Sequence, residues 1–300
     1  MPTRIEEIYD PLFGRKKIRL FMKRDDLIHP EIPGNKFRKL KYNLEMAAGG
    51  GYDTLLTFGG AYSNHIHAVA IAGARQGFNT IGIIRGEEYT PLNPTLADAS
   101  ENGMKLHYVA RKQYRNKDQA SFLRHLETKY GRFYLIPEGG SNAEAVRGCA
   151  ELVDEIDLDV DVIAVSCGTG GTMAGILAGL ERKKHVIGFP VLKNVESLQE
   201  KIMQLAASYD DKEYGNWHLE TGYHFGGYAR FDMNLVDFIN GFKRRTGIPL
   251  DPVYTGKMMF GIYNMISKNK FPNGARILAI HTGGLQGIRG FNKMHGSLLK

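Results

Sequence analysis

Short apolar runs of strand length, separated by helical patterns along most of the chain, limit its possible folds more than any other feature. The runs are Asp53-Thr-Leu-Leu-Thr-Phe58, Thr80-Ile-Gly-Ile-Ile84, Lys105-Leu-His-Tyr-Val109, Phe133-Tyr-Leu-Ile136, Val160-Asp-Val-Ile-Ala-Val165, Val186-Ile-Gly-Phe189 and Arg276-Ile-Leu-Ala-Ile280. Helices are predicted from Lys36 onward (Phe37, Leu40 and Leu44 on one face) and over 63–76, 91–102, 116–130, 141–156, 172–181, 195–208, 232–246 and 255–267. Strand and helix in alternation imply an α/β protein with a parallel sheet covered by helices on both faces. No repeat and no Pro/Ser-rich linker interrupts the pattern, so a second domain is expected as an insertion within the first. The stretch 209–231 is polar and glycine-rich, holds the single tryptophan, Trp217, and reads as a candidate active-site loop.

At 300 residues, with 43% hydrophobic and 24% charged composition, the chain can bury one large core or two moderate ones. The formal charge of +7 raises the question of nucleic acid. Its basic residues, however, are spread through amphipathic segments such as 111–129, and the one dense run is Arg182-Lys183-Lys184. A solvated surface explains that pattern better than a nucleic-acid footprint does. Cys149 and Cys167 form neither a disulfide framework nor a metal spacing. The first residues lack an apolar signal core and no stretch reaches the length of a spanning helix, so a cytoplasmic protein with no membrane partner is expected.

Several polar clusters fall where α/β proteins place chemistry, at the carboxyl ends of strands and the amino ends of helices. Lys36 opens a helix directly after Gly34-Asn35. A lysine at a helix start is by default a surface residue. Held out of bulk water, its amine could attach an aldehyde cofactor as a Schiff base. Ser166-Cys-Gly-Thr-Gly-Gly-Thr172 joins an apolar run to a helix, and its glycines let backbone amides approach an anion. The loop lacks the lysine of a P-loop and the spacing of a dinucleotide fingerprint, so a phosphate monoester fits it better than a nucleotide. Ser63-Asn64-His65 starts the helix after Gly59-Gly60, where Ser63 is also a natural cap. His65 and His67 are two apart on a helix and face different sides, with no third ligand nearby, so no metal is expected. Asp251-Pro-Val-Tyr-Thr-Gly-Lys257 and His281-Thr-Gly-Gly-Leu-Gln-Gly287 are further loops that would otherwise pass as ordinary turns, Thr255 as a cap.

Taken together with Lys23-Arg-Asp-Asp-Leu27, these segments resemble, in order and from about residue 20 to 287, the 1-aminocyclopropane-1-carboxylate deaminase / D-cysteine desulfhydrase family. The resemblance implies the two-domain parallel-sheet fold of the tryptophan-synthase β type (fold type II pyridoxal-phosphate enzymes). It implies a large domain of residues 1–38 plus 141–300 and a smaller inserted α/β domain of residues 39–140. It also implies pyridoxal 5'-phosphate as cofactor, a small amino acid as substrate, and a homodimer.

By the same resemblance Lys36 would carry the cofactor and move protons at the substrate α-carbon, and Gly168, Thr169, Gly170, Gly171 and Thr172 would cup its phosphate. Asn64 would bond its phenolate oxygen. Ser63, with Asn64 and His65, would receive the substrate carboxylate. Tyr254 and Tyr228 would face the substrate, although Gly226-Gly-Tyr-Ala229 departs from the family's Gly-Tyr-Gly form. The cyclopropane deaminases place glutamate after the tyrosine, against the pyridine nitrogen. Thr255 stands there in this chain and offers a neutral hydrogen bond, hence a weaker electron sink. That difference points to a lyase that eliminates a good leaving group, with D-cysteine giving pyruvate, hydrogen sulfide and ammonia. Deamination of the cyclopropane amino acid to 2-oxobutanoate is the alternative. A non-catalytic pyridoxal-phosphate binding protein is the reading from another class.

Overall fold

Alternating apolar residues make the strands, and helices cover both faces of each sheet. The computed structural model describes residues 2–180, 184–193, 195–210 and 214–300. The chain begins with β1 (Ile5–Ile8), α1 (Pro11–Lys16), β2 (Arg19–Lys23) and α2 (Asn35–Gly49). Next come β3 (Thr54–Gly60), α3 (Asn64–Gln76), β4 (Asn79–Arg85), α4 (Pro94–Glu101), β5 (Lys105–Val109), α5 (Arg111–Tyr114), α6 (Ala120–Tyr130) and β6 (Tyr134–Ile136). The second half holds α7 (Ala143–Asp154), β7 (Val162–Cys167), α8 (Gly171–Gly179), β8 (His185–Pro190), α9 (Glu196–Ala207) and β9 (Trp217–Leu219). It closes with α10 (Met233–Thr246), α11 (Thr255–Ser267), β10 (Arg276–Ile280) and α12 (Gly287–His295).

The strands form two sheets, one of six strands in the order β1-β2-β10-β7-β8-β9 and one of four in the order β5-β4-β3-β6. All pairings are parallel except β1 with β2, so the larger sheet is mixed and the expectation of an all-parallel sheet is corrected at that edge. The period of two is plain in the core. Leu20 and Met22 of β2, with Ile277 and Ala279 of β10, pack on one face of the larger sheet. Phe21, Leu278 and Ile280 pack on the other. In the smaller sheet Leu55 faces one cluster and Leu56 and Phe58 the opposite one. Sheets buried on both faces in this way need helical cover on both sides.

Three helices are stacked closely enough to fix the site. An added Cβ at Gly148 of α7 would stand 2.0 Å from the Arg38 carbonyl oxygen of α2, a backbone atom that cannot move aside. α7 in turn packs on α8, where Cys149 lies against Gly175. The amino ends of α2 and α8 are thereby brought to one place. A buried ionic group pins α2 from behind. Arg38 donates to Asp25 at 2.6 and 2.9 Å and to Glu155 at 2.8 and 2.7 Å, while Lys23 lies 2.8 Å from Glu155.

The helix expected over 116–130 begins only at Ala120 as α6, a separate short α5 precedes it, and β1, α1, β2, β9 and α12 are elements that periodicity alone does not reveal. Glu181, Arg182 and Lys183, and residues 211–213 of the 209–231 stretch, lie outside the described residues. Among the described residues no helix is long and apolar enough to cross a membrane.

Candidate active site

A cleft of about 1330 Å³ opens where strands of both sheets end: Gly60 closing β3, Arg85 closing β4, Glu138 after β6, Gly168 after β7 and Thr282 after β10 all line it. Lys36, the second residue of α2, faces this space. Gly34 before it has φ +69°, and a side chain there would drive into the Thr282 carbonyl, so the turn needs glycine. Asn35 bonds back to the same carbonyl at 3.2 Å and reaches the Thr172 hydroxyl at 2.8 Å. Burial pushes the Lys36 amine down to about 7, and the nearby Lys39 charge adds to the effect.

The loop Gly168-Thr169-Gly170 leads from β7 into α8, and no side chain caps that helix. Its first amides therefore lack partners within the helix. Lys39, one turn beyond Lys36, is 2% exposed and donates to the Gly139 carbonyl at 3.0 Å. Its amine lies 3.0 Å from the place a Gly171 side chain would take, so the helix start and a buried cation converge. This arrangement suits a phosphate. Lys39 was not singled out from the sequence, although its spacing from Lys36 places both on one helical face.

Ser63 does cap α3, accepting from the His65 and Ile66 amides at 3.2 and 3.3 Å, while its hydroxyl borders the cleft. Asn64 lies beside it, against the Gly284 turn. The His65 ring is turned toward β3. The Thr57 hydroxyl donates to the Ile136 carbonyl at 2.8 Å and so accepts from His65 Nε2 at 2.8 Å. Burial, then the Lys36 and Lys39 charges, hold this imidazole well below its usual range and therefore neutral. His67 points elsewhere, to Asp98 at 3.1 Å. Among the described residues no three His, Cys, Asp or Glu side chains gather to hold a metal ion.

Tyr228 and Tyr254 meet edge to face, ring centroids 6.2 Å apart. Burial pushes the Tyr254 phenol far above its usual range, with Tyr228 adding to it. Both are protonated donors at neutral pH. Thr255, by contrast, does not line the cleft. It is fully buried, its hydroxyl donates to Asp251 at 2.7 Å and accepts from the Asp251 amide at 3.1 Å. Its hydroxyl hydrogen is thus committed to Asp251. Thr282 lies on the cleft wall instead, its hydroxyl 3.2 Å from that of Ser166. The strand-end logic that marked the 281–287 loop was the signal for it.

The pyridoxal-phosphate dependent enzyme family model matches residues 4–283. The chain belongs to this family. It is thus an enzyme that uses pyridoxal phosphate, and Lys36, Lys39 and the uncapped α8 fit that group by the donors they present. Relatives include a putative 1-aminocyclopropane-1-carboxylate deaminase of Pyrococcus furiosus, 32% identical over 289 residues, covering 89% of this chain and 85% of the relative. Another is the mitochondrial bifunctional D-cysteine desulfhydrase/1-aminocyclopropane-1-carboxylate deaminase of Arabidopsis thaliana, 33% identical, covering 90% and 73%. The crystal structure of an ACC deaminase homologue superposes with a TM-score of 0.87 at 29% identity, covering 100% of this chain and 94% of that one. Threonine deaminase isoform 2 of Solanum lycopersicum shares the fold, with a TM-score of 0.69 at 15% identity over 95% of this chain and 79% of that one.

Proposed function

We propose that the protein is a lyase acting on a small β-substituted amino acid, with D-cysteine as substrate: D-cysteine and water give pyruvate, ammonia and hydrogen sulfide. The observation that carries this reading is the wall beside the phosphate cup. Of the described residues from 160 to 290 that line the cleft, none is a carboxylate, and the ends of β7 and β10 present the hydroxyls of Ser166 and Thr282. A ring nitrogen against that wall meets neutral partners, a role that suits Thr282 better than Thr255. Bound pyridoxal phosphate supplies an electron sink for charge left at the α-carbon when its proton is lost. A neutral partner makes that sink weaker. Elimination of thiolate tolerates a weak sink because charge departs with sulfur.

In this reading Lys36 holds the cofactor aldehyde and takes the α-proton, its free amine being available near neutral pH. The amides of residues 168–172 and the Lys39 ammonium hold the phosphate. The Ser63 hydroxyl and Asn64 orient the substrate carboxylate, and the protonated phenols of Tyr254 and Tyr228 stand ready to donate to the departing group. The same reading divides the chain into 1–38 plus 141–300 and an inserted 39–140, and takes it to be a cytoplasmic homodimer.

Opening of a cyclopropane amino acid to 2-oxobutanoate is the second reading, favoured by the names of the Pyrococcus relatives and by the paired phenols. One steady-state comparison separates the two. Pyruvate and sulfide release from D-cysteine should exceed 2-oxobutanoate release from the cyclopropane acid by at least about 100-fold in kcat/KM, about 2.7 kcal/mol. The reverse ranking overturns the proposal. A yellow holoprotein inert toward every β-substituted amino acid would leave a binding protein.

A further inference from the structure

We propose that Lys257 is a positioning residue: it clamps the loop that carries Tyr228 and thereby sets where that phenol stands in the cleft. The inference rests on the reading of Tyr228 as a group facing substrate.

The segment around Tyr228 is strained. Phe225, Gly226, Gly227 and Ala229 have φ of 54, 90, 124 and 54°, and the two non-glycines among them occupy a region that costs each about 1 kcal/mol or more. Two successive turns shape it, closed by Gly227 N to His224 O at 3.0 Å and by Arg230 N to Gly227 O at 3.1 Å. The Lys257 ammonium donates to both of these carbonyls, at 2.9 and 2.8 Å. It is 2% exposed, whereas the Tyr228 side chain that the loop presents is 41% exposed and open to the cleft.

A buried amine answered by backbone carbonyls is expensive to keep, and a methionine would fill the same space. Its geometry explains what the amine adds. Lys257, Phe260 and Asn264 follow one another along one face of α11. Phe260 packs on Phe225, ring centroids 5.1 Å apart, and Asn264 accepts from the Tyr223 hydroxyl at 2.9 Å, so these two hold the earlier part of the loop. Lys257 grips the two turns that bracket Tyr228. The same helix starts directly after Tyr254. One rigid element therefore sets both phenols, Tyr254 through the chain and Tyr228 through the lysine. Asp251, at the same helix start, is the charged group that acts on the amine by supporting its protonation; burial outweighs it and brings the pKa down to about 8.

The test uses the holoenzyme with whichever amino acid it turns over, in Lys257→Met, Lys257→Arg, Tyr228→Phe and the Lys257→Met/Tyr228→Phe double variant. Lys257→Met should lower kcat about tenfold or more, leave the cofactor dissociation constant within about twofold, and speed amide exchange at residues 226–230; Lys257→Arg should recover most of the loss. In the Tyr228→Phe background the same substitution should cost less than about threefold, because the phenol it positions is gone. An equal loss in both backgrounds overturns the proposal, as does unchanged exchange in Lys257→Met. If Tyr228→Phe leaves kcat untouched, the reading of Tyr228 fails while the exchange data still decide the clamp. Lys257→Gln, which keeps one donor, replaces Lys257→Met if the latter does not fold.

Discussion

In the proposed role of Lys36 as the residue that attaches the cofactor, an amine near pKa 7 makes loading a titration of one residue. An ordinary lysine is almost wholly protonated at neutral pH, whereas about half of this one is free at pH 7. Attachment to an aldehyde consumes the free amine. Loading of apoprotein with pyridoxal phosphate should therefore slow about tenfold per unit below pH 7 and level off above it, as stopped-flow absorbance would record. A rate flat between pH 5 and 8 would contradict the assignment, and so would a visible band surviving in Lys36→Ala. Neighbouring residues show what a motif can and cannot say. Tyr254 and Thr255 stand side by side in one motif, yet Tyr254 borders the cleft and Thr255 is buried beneath it. Asp251 decides this, because its carboxylate collects the amides of Val253, Tyr254 and Thr255 at 2.8 Å each and turns the threonine inward.

At the scale of elements, the Lys23-Arg-Asp-Asp-Leu27 segment seats the helix that carries Lys36. Asp25 and Glu155 share Arg38, and Lys23 completes the group. Arg38→Met would strand buried carboxylates, at about 3–5 kcal/mol. A fall in melting temperature on the order of 10 °C, read by calorimetry, is expected; a shift under about 2 °C would count against this account. Burial pushes the Glu155 carboxyl up, but hydrogen bonds from Arg38 and Lys23 outweigh it and hold it at about 2. A depressed carboxylate stabilises the fold above the ordinary value near 4.5 and stops doing so as the pH falls from there toward 2. Arg38→Met should flatten that acid limb. The segment hides its role in the sequence because its polarity looks like a surface. For the same reason β2, three apolar residues between Arg19 and Lys23, escapes a reading by alternation although it lies inside the larger sheet, between β1 and β10.

Across the whole molecule, the cleft is flanked by α4, which contributes Leu96, and α12, which contributes Lys293 and Met294. Arg289 of α12 bonds Asp98 of α4, the carboxylate that also takes His67 of α3. The pair is partly exposed, so it should matter little for stability, within about 1 kcal/mol. It should matter for holding the two sides of the cleft together. Asp98→Asn is expected to raise KM for the amino acid a few-fold with kcat and melting temperature nearly unchanged; a loss confined to stability would refute the bridging role. Most of the strand and helix alternation from α2 to β10, the glycine turns at strand ends and the helix start at Gly34-Asn35-Lys36 were legible in the chain, because periodicity and turn chemistry are local. The antiparallel edge at β1, the approach of Lys39 to α8, the inward turn of Thr255 and the grip of Lys257 on the Tyr228 loop were not. Lys39 reaching α8 and Lys257 gripping the Tyr228 loop depend on atoms distant in sequence meeting within about 3 Å, which only tertiary packing brings about; the turn of Thr255 depends on where the Asp251 carboxylate points, which residue type alone does not specify.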